Sequence, residues 1–220
     1  MQRNAILMAA TAIIFLLSCG HQAALAQSDE LQKYEIGAQF SSLSINQFGG
    51  TRTEPGLGGR FTYNVTDNFA LEAEGNFFPK NERFNAFRSG GRAVEGLFGT
   101  KLGKRYKRFG IFGKARPGFI SFSRGLTEFI PAGGTDPFAF DVRTKRLTHF
   151  AADIGGVLEF YPSRRVFTRI DIGDTIIRYG QTSTTTYGVT PSGIITPFPI
   201  TVPGDTTHNF QFSAGVGFRF

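Results

Sequence analysis

Residues 207–220 read THNFQFSAGVGFRF, and large apolar residues alternate in them with small or polar residues up to Phe220. Because successive side chains of a β-strand point to opposite faces, the segment predicts a strand with one apolar and one polar face. An apolar strand left at the edge of a soluble domain would pair with other chains. We therefore expect this strand to be covered, either by another strand or by lipid.

Residues 1–26 have the pattern of a cleaved secretory signal peptide. Arg3 precedes an uncharged run, and Ala24-Leu25-Ala26 offers a small-x-small cleavage site. The apolar run is shorter than the roughly 20 residues of a spanning helix. Cys19 leaves a second interpretation open, a lipoprotein signal in which this cysteine is acylated. We expect a signal peptide at 1–26 and a single domain at 27–220.

The composition indicates a β protein without cysteine chemistry. The chain has 28 Gly, 25 Phe and a single Cys, and that Cys lies within the predicted signal peptide. The remaining chain can therefore form neither a disulfide nor a cysteine-ligated metal site. It also lacks any later run of about 18 apolar residues, so it has no candidate spanning helix. A chain of this kind can cross a membrane only as a closed barrel, which satisfies every backbone polar group.

Segments with a period of two residues predict about eight strands. They cover residues 32–45, 57–66, 69–78, 93–103, 109–122, 147–161, 166–179 and the C-terminal segment. Short connections at 67–68, 104–108 and 162–165 alternate with long ones at 46–56, 79–92, 123–146 and 180–206. This alternation is typical of outer-membrane barrels with short periplasmic turns, longer external loops and both termini in the periplasm. We expect the last strand to pair with the segment around residues 34–40 and so close the barrel.

The chain after the signal peptide resembles the eight-stranded outer-membrane β-barrels of the OmpA-like and opacity-protein type. Its ending VGFRF, residues 216–220, matches their C-terminal assembly signal. The resemblance implies an all-β, eight-stranded antiparallel up-and-down transmembrane β-barrel in the bacterial outer membrane. It also implies that the barrel-assembly machinery reads the outward residues Phe210, Phe212, Val216, Phe218 and Phe220. A soluble lipocalin-like barrel or a sandwich is the alternative. The many glycines on the polar face favour the membrane barrel, because a narrow barrel needs small residues inside.

Charges on the predicted inner face nearly cancel, although the whole chain has a formal net charge of +7. Buried charges are costly unless they are paired, which predicts a cross-strand ion network filling the lumen. Its members are Glu72, Glu74, Glu95, Lys101, Lys114, Arg116, Asp153, Arg169 and Asp171. The excess positive charge lies in the predicted periplasmic turns, where it either contacts anionic lipid headgroups or is simply solvated. No basic patch is interleaved with exposed aromatics, so nucleic acid is not an expected partner.

Eight-stranded barrels of this kind include lipid A-modifying enzymes, and the resemblance implies a His-x-Ser pair for a deacylase among them. Neither His149 nor His208 is followed by a serine two residues later, so we interpret both as rim or loop histidines. No catalytic residue, metal site or cofactor is assigned. His149 and Asp153, four residues apart on one strand, are too distant to share an ion.

The function predicted from the sequence is therefore a structural or surface-interaction role. It would be carried by loops 123–146 and 181–206 of a monomer embedded in outer-membrane lipids, with extracellular ligands as possible partners. Two alternatives stay open, a lipid A-modifying enzyme and a narrow gated channel. An eight-stranded barrel is just wide enough for side chains to fill, which argues against a general pore.

Overall fold

The computed structural model describes residues 32–47, 50–81, 89–131, 140–189 and 195–220, so the predicted signal peptide lies outside the described residues. These residues form ten β-strands. They are β1 (Tyr34–Gln47), β2 (Gly50–Asn64), β3 (Phe69–Phe78), β4 (Ala93–Arg105), β5 (Phe109–Pro131), β6 (Phe140–Phe160), β7 (Val166–Tyr179), β8 (Thr182–Val189), β9 (Ile195–Val202) and β10 (Asp205–Arg219). Within the described ranges, no helix is long and apolar enough to cross a membrane.

Eight of the ten strands close into an antiparallel barrel, as the sequence predicted. From β1 to β7, each strand pairs with its neighbour in sequence. Strand β10 then closes the barrel by pairing with β7 on one side and with β1 on the other. The register of the closing pair places Phe218 opposite Ile36 and Ala214 opposite Phe40. The predicted pairing of the last strand with residues 34–40 is thus confirmed, and closure leaves neither β1 nor β10 with a free edge in this region.

The barrel has two distinct ends. At the turn end, residues 65–68, 106–108 and 161–165 join neighbouring strands, and Tyr34 and Phe220 exchange backbone hydrogen bonds of 2.9 Å. At the loop end, three of the four connections are longer, and only residues 48–49 separate β1 from β2. The outer wall between the two ends is a belt of exposed apolar side chains. It includes Ile36, Phe61, Phe98, Ile154, Ile172 and Phe210.

Small residues on the inner face allow the strands and the interior side chains to approach closely. Gly99 on β4 is one such position, because a Cβ there would lie 2.1 Å from the carbonyl oxygen of Ala115 and 2.6 Å from the Cα of Arg116. Only glycine fits against the backbone of β5 at that point. Glycine at this position therefore lets β4 and β5 approach closely beside the buried Arg116.

The structure corrects the predicted long loops at the loop end. Residues 46–56 are mostly strand, because β1 continues to Gln47 and β2 begins at Gly50. Strand β2 pairs with β3 only from Leu57 onward. At Pro55 the strand therefore has a ladder on one side only, where a proline is tolerated.

Segments 123–146 and 180–206 are also corrected in part. Both β5 and β6 extend past the barrel, with register irregularities between Phe122 and Gly125 and between Leu126 and Glu128. Within segment 180–206, β8 and β9 pair with each other in antiparallel fashion, where the sequence predicted a loop. Strand β8 touches β5 in parallel, with Glu128 opposite Thr185.

Candidate functional site

All nine side chains of the predicted ion network face the lumen and are buried. Glu72 on β3 is the centre of one group. Both of its oxygens contact the guanidinium of Arg169 on β7, with Oε2 at 3.0 Å from Nη2. Lys101 Nζ lies 3.7 Å from Glu72 Oε1, and Arg116 Nη1 lies 3.5 Å from Oε2. One carboxylate thereby joins three basic residues from three strands.

A second group forms around Arg116 on β5. Its guanidinium lies 2.5 Å from Glu74 Oε2 and 2.5 Å from Asp153 Oδ2. Lys114 Nζ also contacts Asp153 Oδ2, at 2.8 Å. Arg60 on β2 completes the group by bridging Glu74 on β3 and Asp171 on β7, at 2.9 and 2.6 Å. Because β2 and β7 are not neighbours, this ion pair crosses the lumen.

Arg105 is an interior residue that the sequence analysis placed in a periplasmic turn. It is the last residue of β4, and its Nη2 lies 3.0 Å from Glu35 Oε1. Its Nε donates to Tyr161 Oη at 3.0 Å, and that hydroxyl donates to Glu159 Oε2 at 2.7 Å. Arg105 lies four residues after Lys101 and so points to the same face of β4. Extending the two-residue alternation beyond Lys101 would therefore have predicted that Arg105 faces the lumen.

Glu95 is set apart from the rest of the predicted network. Its Oε2 accepts hydrogen bonds from the amides of Asn76, at 2.7 Å, and Gln211, at 3.1 Å. Its Oε1 has no hydrogen-bond partner, and no ion pair joins Glu95 to a basic side chain among the described residues. The groups that bond to Glu95 are uncharged, and Asn76 also accepts a hydrogen bond of 3.0 Å from the hydroxyl of Ser41, which lies 2.8 Å from the hydroxyl of Ser213. Glu95 thus belongs to a layer of amides and hydroxyls above the ion pairs.

An apolar layer fills the lumen at the loop end, which the sequence analysis did not predict. It consists of Leu43, Ile45, Phe78, Ala93, Ile120, Phe122, Ala151, Ile177 and Tyr179. His149 is part of this region, with its ring 4.7 Å from that of Tyr179 in an edge-on contact. The interpretation of His149 as a rim or loop histidine is therefore wrong, because the residue is buried inside the barrel. The lumen is thus filled by ion pairs, then amides, then apolar side chains.

The five residues of the predicted assembly signal lie on the outer face of β10. Phe210, Val216, Phe218 and Phe220 are exposed there, and Phe212 is half-buried. At the turn end, the rings of Phe220 and Tyr34 are 5.9 Å apart, and those of Tyr34 and Tyr63 are 5.4 Å apart. This row of aromatic rings resembles the interfacial girdle of membrane barrels.

The loop end presents β-structure beyond the last barrel pair of β4 and β5, Ala93 with Phe122. There the ribbon of β5 and β6 and the hairpin β8–β9 form one sheet, in which β9 is the outermost strand. Phe198 and Ile200 on β9 are exposed by 45% and 41%. Apolar side chains exposed together on a projecting strand are typical of an interaction surface.

On the outer wall, an acidic side chain and a histidine lie side by side on neighbouring strands. His208 Nδ1 on β10 lies 2.5 Å from Asp174 Oδ2 on β7, and both side chains are substantially exposed. Asp174 Oδ1 also accepts a hydrogen bond of 2.9 Å from the Asn209 backbone amide. Within the described part of the chain, no group of three or more acidic, histidine or cysteine side chains is placed to hold a metal ion.

Comparison with known proteins gives a family match over almost the whole chain. Residues 12–220 match the family model described as the outer membrane protein beta-barrel domain. No curated protein matches the sequence. Neisserial surface protein A (NspA) is similar in structure at 11% identity, with a TM-score of 0.50 over 85% of this chain and 97% of that one. At this identity the likeness shows the fold alone.

Two further solved structures are similar at lower TM-scores. Ail, the attachment invasion locus protein of Yersinia pestis, is 13% identical, with a TM-score of 0.43 over 86% of this chain and 97% of that one. The N-terminal β-barrel domain of Pseudomonas aeruginosa OprF is 12% identical, with a TM-score of 0.42 over 84% of this chain and 97% of that one.

Proposed function

Because the chain belongs to the outer membrane protein β-barrel domain family, we propose that it is a monomeric, closed barrel with a structural or surface-interaction role. The family is one of the bacterial outer membrane. The observation that supports the role is the exposed apolar strand β9, carried on a sheet beyond the barrel. The filled lumen also supports this role, because a lumen packed with side chains leaves only the outer surface of the barrel to contact other molecules.

The proposed orientation puts the loop end outside the cell and both ends of the described chain in the periplasm. Its support is the asymmetry of the two ends, since all connections at one end are short turns, whereas at the other end three of the four connections are longer. Extracellular ligands would then meet the sheet formed by segments 123–146 and 181–206. The basic turns around Lys107 and Arg164 would face the inner leaflet, where anionic headgroups attract them.

Cysteine labelling on intact cells tests this orientation and the exposure of β9. F198C should react with a membrane-impermeant maleimide on intact cells, whereas D67C, in a short turn, should react only after lysis. The sequence has one native cysteine, Cys19, in the predicted signal peptide, so the parent chain is the background control. Labelling of D67C but not F198C on intact cells would reverse the proposed orientation.

We also propose that the barrel-assembly machinery recognises the outward residues of β10. These are Phe210, Phe212, Val216, Phe218 and Phe220, which line one face of the strand that closes the barrel. The support is the resemblance of this pattern to the family's assembly signal. Replacing Phe218 with Ser should reduce the amount of folded barrel in the outer membrane, whereas S213A, on the inner face of the same strand, should leave it unchanged.

The proposed role requires no catalysis. A lipid A-modifying enzyme is the alternative, and it is tested by mass spectrometry of lipid A from cells that overproduce the chain. An unchanged lipid A profile rejects the enzyme, and a new deacylated or modified species would replace the present proposal.

A further inference from the structure

Residues 179–204, which include the hairpin β8–β9, contain no Asp, Glu, Lys, Arg or His, although 19% of the whole chain is charged. Arg178 precedes this segment and Asp205 follows it. Asp205 lies opposite Tyr179 in the last pair between β7 and β10. The charges therefore stop where the chain leaves the barrel wall.

The other element that projects at the loop end, the ribbon of β5 and β6, differs from the hairpin in charge. All side chains of residues 143–146 on β6 are exposed, and Arg143, Lys145 and Arg146 among them are basic. Exposure at this end of the barrel thus does not by itself explain the lack of charge on the hairpin. A partner that binds through ionic contacts would meet the ribbon, whereas the hairpin suits a partner that offers none.

Strand β9 is exposed on both of its faces over residues 196–201. Phe198 and Ile200 lie on one face, and Pro197 and Pro199 lie on the other. The remaining two residues are threonines, and taking a hydroxyl out of water costs far less than taking out a charge. The strand can therefore enter a less polar environment without the desolvation of any charged group.

The free edge of β9 lacks two backbone donors. Pro197 lies opposite Tyr187 and Pro199 opposite Thr185 in a ladder with β8 that has no break. A proline nitrogen directed at the partner strand removes a ladder hydrogen bond, and the β4–β5 ladder does skip two pairs beside Pro117. Both nitrogens of β9 therefore face the free edge. This edge offers little to an added peptide strand, and it leaves fewer N–H groups unsatisfied in a membrane.

We propose that the hairpin β8–β9 docks on a zwitterionic lipid surface that faces the loop end, such as the membrane of another cell. Binding of this kind scales with the apolar area that enters the interface, which Phe198 and Ile200 supply, and needs no charge on the protein. The hairpin projects beyond the apolar belt, so the surface that it meets is an opposing one and not the bilayer that holds the barrel. This inference names the partner of the surface-interaction role proposed above and rests on that role.

The test is vesicle flotation with the folded barrel in lipid nanodiscs, which present both ends of the barrel. Nanodiscs that hold the parent chain should float with protein-free phosphatidylcholine vesicles, and empty nanodiscs should not. The bound fraction should be the same at low and high salt, because the hairpin has no charge to screen. F198S/I200S should lower the partition coefficient by about tenfold or more. T201E should also weaken binding, because it adds a charge that must leave water.

The matched control is V65S/Y106S, which removes two apolar side chains at the turn end. Val65 and Tyr106 are each 44% exposed, close to the values for Phe198 and Ile200. This variant should float as the parent chain does. Heat-modified migration on gels shows which variants are folded.

Four flotation results would overturn the proposal. They are no flotation of the parent, equal flotation of the parent and F198S/I200S, an equal loss in V65S/Y106S, and binding that requires anionic lipid and falls with salt. Binding to native membrane vesicles, but not to vesicles made from their extracted lipids, would assign the hairpin to a protein partner instead. If F198C is labelled on intact cells while the nanodiscs do not float, the lipid partner is wrong and the surface role stands. If F198C is not labelled, the proposed orientation fails whatever the flotation shows.

Discussion

At the scale of single residues, the lumen contains two kinds of buried carboxylate. Glu72 is surrounded by Arg169, Arg116 and Lys101, whereas Glu95 is held only by the amides of Asn76 and Gln211. Burying a charge is costly, and the cost is offset only when an opposite charge and hydrogen bonds accompany it. The two residues should therefore respond in different ways to the same substitution.

Glu72→Gln should lower the free energy of unfolding by about 3 kcal/mol, because it leaves buried basic groups without their shared carboxylate. Glu95→Gln should leave it within about 1 kcal/mol of the parent value, or raise it, because it removes a buried charge that has no basic partner. Urea unfolding of the barrel in lipid vesicles measures both. Equal losses in the two variants would contradict this account of the lumen.

At the scale of elements, a period of two residues was enough to assign the inward face of the barrel strands, because each crosses from one bilayer interface to the other. The same rule failed where the strands leave the bilayer. In residues 143–146 of β6 and 196–200 of β9, successive side chains are all exposed, so the alternation that marks a strand is lost. Leu43 and Ile45 show a different failure. There the apolar side chains face inward and Ser44 faces outward, so apolar residues no longer mark the outer wall.

The ion pairs themselves were only partly predictable. The sequence placed the charged residues on the inner face, since parity alone determines the side to which each points. Parity does not determine height along the barrel axis, which depends on the register between strands. The separation of Glu95 from the basic residues, and the inward reach of Arg105 from the end of β4, follow from that register.

Strand β9 is a free edge that carries its own protection against pairing. Pro197 and Pro199 are two residues apart, so their backbone nitrogens point to the same edge of β9, and neither nitrogen carries a hydrogen. The backbone N–H groups that β9 donates to β8 must therefore come from the alternate residues, such as Phe198. Both imino nitrogens then face the free edge, which is short of donors for an added strand. We expect this arrangement to keep the proposed monomer from pairing through β9 while the apolar side chains stay exposed.

Restoring those donors should therefore cause self-association. P197T/P199T should form dimers or larger species at protein concentrations where the parent chain is monomeric, as measured by light scattering in detergent with the detergent mass subtracted. P162T, the same change in a short turn at the opposite end, should stay monomeric. A monomeric double variant would show that the prolines do not protect the edge.

At the scale of the whole molecule, the lumen is closed twice, by ion pairs towards the turn end and by apolar side chains towards the loop end. A conducting path would have to break the ion pairs and also wet the apolar layer. We expect the parent chain to be silent in planar bilayers at all voltages. The single variant F122S, which opens only the apolar layer, should be silent as well. Reproducible conductance steps from the parent chain would instead support the narrow gated channel.

The ion pairs that cross the lumen also have a mechanical consequence. Arg60 with Asp171, and Arg169 with Glu72, connect opposite walls and act as internal struts. A barrel braced in this way resists flattening when the lateral pressure of the bilayer changes. Its cross-section is set before anything binds to the outer surface, so an event at the sheet of the loop end has no change of shape through which to reach the turn end.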